Sequence, residues 1–212
     1  MQDVVIFGHT DFSQLVAYYC QHYGMYKVRG FTVSRAFVDN TEVIPFEELE
    51  QHFSKDSISI LMTVGYTNMN ENRKLLTEKL LAEGWSMTDY ISPRAIVHGE
   101  IGRGNIILDQ VIVHPFAKIG DFNYIVDQTL VGHHDVIGNY CYLAPSVSIS
   151  GRVTIEDNCF IGNNATVRNG VTIGHHAMIG ASAYVSHNVK PWHMVVPSKC
   201  VTYDMGEGYS YK

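Results

Sequence analysis

The chain has 212 residues, enough for one large domain or two small ones, and 46% of them are hydrophobic, enough to bury a core. With 15 Lys and Arg against 21 Asp and Glu the formal charge is -6, and no basic run occurs. A nucleic-acid partner is therefore not expected, and small molecules or proteins are. The opening MQDVVIFGHT carries an acidic residue and only a short apolar run, too little for a signal peptide or a membrane span. A cytoplasmic protein with no membrane partner is the expectation.

Residues 1–90 alternate strand and helix patterns. DVVIFG is a strand stopped by Gly8, and DFSQLVAYYCQHYG is a helix with Phe12, Leu15, Val16 and Tyr19 at helical spacing, ended by Gly24. YKVRGFTVS is a second strand and PFEELEQHF a short helix; SISILMTVG is a buried strand and NENRKLLTEKLLAEG a helix closed by Gly84. The order βαβαβα predicts a small doubly wound, Rossmann-like parallel sheet. Ligands of such sheets sit beyond the carboxyl ends of the strands. Here those ends are the turns from Gly8 to Ser13, Val33 to Arg35 and Gly65 to Asn70. The first turn, GHTDFS, has one glycine where a dinucleotide fingerprint needs three, so NAD binding is not expected, and a supporting domain without its own ligand is the alternative.

From Ile101 to Val185 the period changes to six, with an aliphatic residue at every sixth position and no insertion. Glycine often follows the aliphatic, and the fourth residue after it is mostly small or aliphatic. That period predicts a three-sided parallel β-helix in which eighteen residues complete a coil and one aliphatic side chain per hexad points inward. Residues eighteen apart become vertical neighbours, so Cys141 and Cys159 share a column and read as small core residues rather than a redox pair. None of the four cysteines, Cys20, Cys141, Cys159 and Cys200, has CxxC spacing, and all are expected to be reduced.

The stretch VIGNYCYLAPSVSISGRVTIEDNCFIGNNATVRNGVTIGHHAMIGASAYVSHNV with its closing VVPSK resembles the hexapeptide-repeat acyltransferases, which wind a left-handed β-helix, trimerise and use acetyl-CoA. With an α/β domain in front and SPRA at the junction, the whole chain is similar to the members that acetylate nucleotide-linked amino sugars or sialic acid. The resemblance implies a substrate domain over residues 1–90, a left-handed β-helix over 91–200, a tail over 201–212, and a homotrimer.

Acetyl transfer needs a base for the attacking amine or hydroxyl and donors for the oxyanion. The resemblance places that base at His133, five residues before Gly138, and an orienting group at the next position. That group is usually acidic, but here it is His134, with Asp135 beside it turned toward another side of the coil. Gly151, eighteen residues on, is implied to offer its bare backbone N–H to the thioester. The implied acetyl-CoA contacts are Tyr142, Gly151, Asn163 and Ala181, with Lys199 offering charge to a phosphate.

For the acceptor, a sugar or sugar nucleotide, the corresponding turn residues are Gly8, Thr10, Asp11, Phe12, Ser34 and Gly65. Asp11 repels a diphosphate unless the helix N-terminus or Arg73 compensates. The choice between N- and O-acetylation stays open, and a role in surface-polysaccharide or glycan assembly is the expectation.

Two other readings compete. One is a non-catalytic trimeric scaffold with a metabolite-sensing front domain. The other is a zinc enzyme like the hexapeptide-repeat carbonic anhydrases, with His98 and His134 as ligands from successive turns. That set lacks a third histidine in residues 137–141, so no metal is expected. His175 and His176 repeat the double histidine and are expected on a solvated surface.

Overall fold

The computed structural model describes residues 1–38 and 42–197. Its first part is a four-stranded parallel sheet of β1 (Gln2–Phe7), β2 (Tyr26–Val33), β3 (Val43–Pro45) and β4 (Ser59–Met62), in the order β3-β2-β1-β4. Val4, Val5, Ile6 and Phe7 are all buried, as a strand covered on both faces requires. Helix α1 (Asp11–His22) buries Ser13, Val16, Ala17 and Cys20, one helical stripe, and starts with a capping box between Thr10 and Ser13. Two short elements depart from the sequence expectation. The three-residue β3 had no periodic signal, being only Val-Ile-Pro. The segment expected as one short helix is a 3-10 turn at Phe46–Glu48 followed by the single-turn α2 (Leu49–His52). Helix α3 (Glu71–Ala82) follows the third turn.

From Tyr90 to Val195 the chain coils through two-residue strands that stack into parallel sheets of five, seven and six strands. The register is eighteen residues per coil, as in Leu130–Ile112, Tyr142–Tyr124 and Val136–Thr154. The aliphatic of each hexad and the residue four after it both point inward. Val131, Ile137, Cys141, Leu143, Val147, Ile149 and Val153 thus form one continuous buried column system. Cys141 and Cys159 lie within it as free thiols, donating to the carbonyls of Glu156 at 3.0 Å and Gly174 at 3.2 Å. Burial pushes the Cys141 thiol upward.

The coil reaches beyond the perfect hexads at both ends. There the register shortens to sixteen, Ile96 pairing with Ile112 and Met178 with Met194.

The three faces have different outward residues, and this decides what covers them. On the seven-stranded sheet the outward Tyr90, Ile106 and Tyr124 are fully buried. They pack with Ile6, Val16, Cys20 and Leu61 of the N-terminal part. The Tyr124 hydroxyl donates to the Met62 carbonyl at 2.6 Å. On the six-stranded sheet the outward residues are Ile96, Ile112, Leu130, Ser148, Thr166 and Tyr184, of which Ile96 and Tyr184 are exposed. Nothing else in the described chain covers that face.

Candidate active site

At the corner where the six-stranded sheet passes into the five-stranded one, Leu130–Val131 is followed by Gly132, His133, His134 and Asp135 before Val136–Ile137. Val131 and Ile137 anchor the corner from inside, and His134 takes the left-handed conformation, φ 62°, that turns the chain. His133 is exposed and lies against Gly151, one coil up. A Cβ at Gly151 would come within 2.4 to 2.9 Å of the Cε1, Nε2 and Nδ1 atoms of the His133 ring. Only glycine therefore admits the imidazole there. The Arg152 N–H also donates to the His133 carbonyl at 3.0 Å, tying the two coils together.

The neighbours of His133 have separate tasks. Its Nδ1 lies 3.1 Å from Nδ1 of His134, with the ring planes at 87°. His134 packs on Phe116 of the coil below, ring centroids 4.8 Å apart. Asp135 is fully buried and accepts from the Gly132 N–H at 2.6 Å and the Val153 N–H at 2.8 Å. Its carboxylate thus closes the corner and does not touch the imidazole. Burial raises its pKa to about 6, against the lowering by those two N–H groups.

The second double histidine has the same ring geometry, Nδ1 to Nδ1 at 3.1 Å and planes at 87°. Its expected solvated state is corrected. The His176 side chain is only 13% exposed, stacks on Trp192 at 4.0 Å, and meets Glu71 of α3 through Nε2 at 2.7 Å. It lies on the seam between the two parts of the chain, which sequence spacing does not display. One coil on, Pro191 stands where Gly151 stands for His133, packed on Gly174 with ring atoms that would lie 2.5 to 2.8 Å from a Cβ added there. The open backbone that Gly151 gives His133 has no counterpart here.

The three turns expected for the acceptor do meet at one edge, because β1 lies between β2 and β4. Their side chains are already occupied in part. Thr10 and Ser13 cap α1, and the Thr63 hydroxyl donates to the Phe7 carbonyl at 2.9 Å while lying 2.9 Å from the Ser13 hydroxyl. Gly8, φ 133°, is needed by this network, since a Cβ would lie 2.5 Å from the Thr63 hydroxyl. Asp11 and the half-buried Phe12 open α1, with Phe12 stacked on Tyr124 at 5.4 Å. Ser34 precedes the 3-10 turn in which the Arg35 guanidinium pairs with Glu48 at 2.6 Å. Gly65 has open space around it, and beside it Tyr66 packs on Tyr142 and Phe160 at 5.1 and 4.6 Å. These aromatic neighbours were missed because the contact runs between two parts of the chain.

Arg73 is corrected. It is fully buried, its guanidinium lies 4.0 Å from the Tyr124 ring, and Nη2 donates to the Tyr140 carbonyl at 2.7 Å and the Cys141 carbonyl at 3.1 Å. It faces the β-helix and not the turns, because the inner side of α3 packs there. Burial lowers its pKa.

Asn163 and Ala181 are exposed neighbours at the corner between the seven- and six-stranded sheets, the opposite edge of the six-stranded face from His133. Their contact is through backbone, the Ser182 N–H donating to the Asn163 carbonyl at 2.7 Å. Tyr142 lies on the seven-stranded sheet, half-buried among Phe12, Tyr66 and Phe160. One chain therefore does not bring Tyr142, Asn163 and Ala181 to its own His133. Lys199 and the tail lie outside the described residues. His98 does not share a column with His134, because the sixteen-residue register places it beneath His114. Among the described residues no group of three His, Cys, Asp or Glu side chains could hold a metal ion, and no helix is long and apolar enough to cross a membrane.

Residues 152–187 match the family described as the hexapeptide repeat of succinyl-transferase. A comparison with curated protein sequences finds no match. Among solved structures, PerB from Caulobacter crescentus, in complex with CoA and GDP-perosamine, superposes with a TM-score of 0.81 at 25% identity, over 94% of this chain and 97% of that one. WeeI from Acinetobacter baumannii gives 0.80 at 21% identity, over 92% of this chain and 97% of that one. The acetyltransferase domain of PglB from Neisseria gonorrhoeae gives 0.78 at 22% identity, over 89% and 93%. Residues 152–187 thus carry a hexapeptide repeat, and the chain, a left-handed β-helix behind a small parallel sheet, shares the fold of these three structures over nearly its whole length.

Proposed function

We propose that this protein is an acetyl-CoA-dependent acetyltransferase that acylates an amine or hydroxyl of a nucleotide-linked sugar, with His133 as general base. The observation that carries the reading is the exposed His133 imidazole lying directly against Gly151. A base with one bare backbone N–H beside it is what thioester aminolysis needs. The complex of PerB with CoA and GDP-perosamine supports the two substrate classes. Structures of that perosamine N-acetyltransferase with one histidine replaced by Asn or Ala, again with CoA and GDP-perosamine, fit an imidazole of importance there.

The N-terminal sheet, residues 1–90, is on this reading a Rossmann-like acceptor domain. Its three turns hold the nucleotide sugar, with Gly65 and the N-terminus of α1 nearest the diphosphate. The active unit is a homotrimer. Asn163 and Ala181 lie on one edge of the six-stranded face and His133 on the other, so a CoA lying along one copy's edge meets the imidazole of the next. A cytoplasmic location and a place in glycan assembly follow from these substrates.

The test is CoA thiol release from acetyl-CoA with a panel of amino- and hydroxy-sugar nucleotides. His133→Ala should lower kcat by about 10²- to 10⁴-fold while the Kd for CoA stays unchanged. Undiminished turnover in that variant would remove His133 from the chemistry. Failure of every acceptor of this class to release thiol would instead favour the scaffold reading.

A further inference from the structure

We propose that Asp127 receives the acceptor's attacking group opposite His133 of the next copy in the trimer, and that this pairing selects a primary amine over a hydroxyl. The proposal rests on the reading of His133 as general base in a trimer, and deepens it by naming the nucleophile.

Asp127 stands at the corner between the seven- and six-stranded sheets, in the same column as Asp109, Asn163 and Ala181. Asp127 and His133 flank one strand, Leu130–Val131, from the two edges of the six-stranded face. Six residues of an eighteen-residue coil separate them, so their heights differ by about a third of the ~4.8 Å spacing between coils. A threefold axis along the prism leaves every residue at its own height. The edge that carries Asp127 in one copy therefore meets the next copy's His133 nearly level with it, two coils below Asn163.

Its carboxylate has acceptor capacity to spare. Asp109, one coil below, accepts from the Tyr23 hydroxyl at 2.6 Å and the Ser92 hydroxyl at 2.5 Å, and pairs with Arg94 at 3.5 Å. Asp127 is half-buried, accepts the Asp109 N–H at 3.2 Å beside the Tyr19 hydroxyl, and forms no ion pair among the described residues. Burial raises its pKa, and the charge of Asp109 adds to the rise. A cation at this point of the edge offsets both.

The chemistry then separates the two nucleophiles. The amine arrives as an ammonium, is held by a charge-assisted hydrogen bond to Asp127, and gives one proton to solvent. Two N–H groups remain, one for Asp127 and one for His133, while the lone pair faces the thioester. The nitrogen attacks the acetyl carbonyl, the C–S bond breaks, and His133 moves the second proton from nitrogen to the leaving sulfur, giving the N-acetyl sugar and CoA thiol. A hydroxyl has a single O–H, and donating it to Asp127 leaves His133 no proton to take.

The test uses the full-length protein and pairs of sugar nucleotides that carry an amine or a hydroxyl at the same carbon. Wild type should acylate the amine member roughly 10²-fold faster in kcat/KM, and Asp127→Asn should lower that value about 10- to 100-fold with the Kd for CoA unchanged. Co-expressed with His133→Ala, Asp127→Asn should recover about a quarter of wild-type turnover, because every mixed trimer keeps one edge with both residues intact. Equal use of the hydroxyl member overturns the proposal, and so does wild-type kcat/KM in Asp127→Asn or a co-expressed mixture no better than its parts. If no member of any pair is acylated, calorimetry decides. Amine binding that Asp127→Asn weakens means that the acetyltransferase reading fails and the amine subsite stands, whereas binding indifferent to the variant overturns the subsite too.

Discussion

At the scale of single residues the corner around His133 is governed by contact distances more than by charge. Gly151 shows this: replacing its hydrogen by a methyl places an atom 2.4 Å from the His133 ring, which must swing away. Because the ring is exposed it can do so at little cost in stability, so Gly151→Ala should keep its melting temperature and lose about 10²-fold in kcat, the usual cost of an ångström of misplacement. A variant with normal turnover would show that the ring works from another position. Asp135 makes a different prediction. Its native carboxyl, raised by burial to about 6, binds a proton at a pH where the unfolded one, near 3.9, does not. The native state thus holds more protons between those values, and stability rises as pH falls through 6 toward 4. Melting temperature measured from pH 7.5 to 5 should climb for the wild type relative to Asp135→Asn, which cannot ionise; parallel curves would remove Asp135 as the cause.

At the scale of elements the seam between α3 and the β-helix is what joins the two parts of the chain. Asn70, Arg73 and Thr77 all face it and are fully buried, and Asn70 donates to the Asn158 and Cys159 carbonyls at 3.3 and 3.2 Å. Arg73 is a buried cation whose Nε and Nη1 have no partner among the described residues. Truncation leaves a cavity and takes the Arg73 donor from the Tyr140 carbonyl, while the Cys141 carbonyl keeps the Tyr124 N–H, so Arg73→Ala should destabilise by about 3 to 5 kcal/mol in urea unfolding. Arg73→Met refills the volume and removes an uncompensated charge, and should cost less than Arg73→Ala by about 1 kcal/mol or more. Acceptor KM should not change in either folded variant, since the guanidinium faces the coil. A rise in acceptor KM without a loss of stability would return Arg73 to the acceptor site.

At the scale of the whole molecule the three faces of the prism have three fates. One is covered by the N-terminal sheet and one is polar toward its start, with Glu100 and Lys118 paired. The six-stranded one presents Ile112, Leu130 and Tyr184 with no cover among the described residues. That face lies between the His133 edge and the Asn163 edge, which is why copy-to-copy packing and catalysis are linked in the proposed trimer. Leu130→Glu, at its centre, should give a monomer in sedimentation with an unchanged far-UV spectrum and lose turnover together with the trimer. A fully active monomer would mean that one chain holds a complete site.

The sequence by itself determined the β-helix, because a solenoid repeats one local contact and every sixth side chain from Ile107 to Val185 must fill the same interior. It also determined the His133 and Gly151 column, since eighteen residues of uninterrupted hexads fix vertical neighbours. The parallel sheet was legible from its buried strands, though not β3, whose three residues are too short to carry a period. Only the tertiary structure decided what Arg73, His176, Tyr66 and Tyr142 do. Each meets a partner from the other part of the chain, 67 residues away for Arg73 and Tyr140 and 105 for His176 and Glu71, and no local pattern encodes which face of α3 lies against which side of the coil.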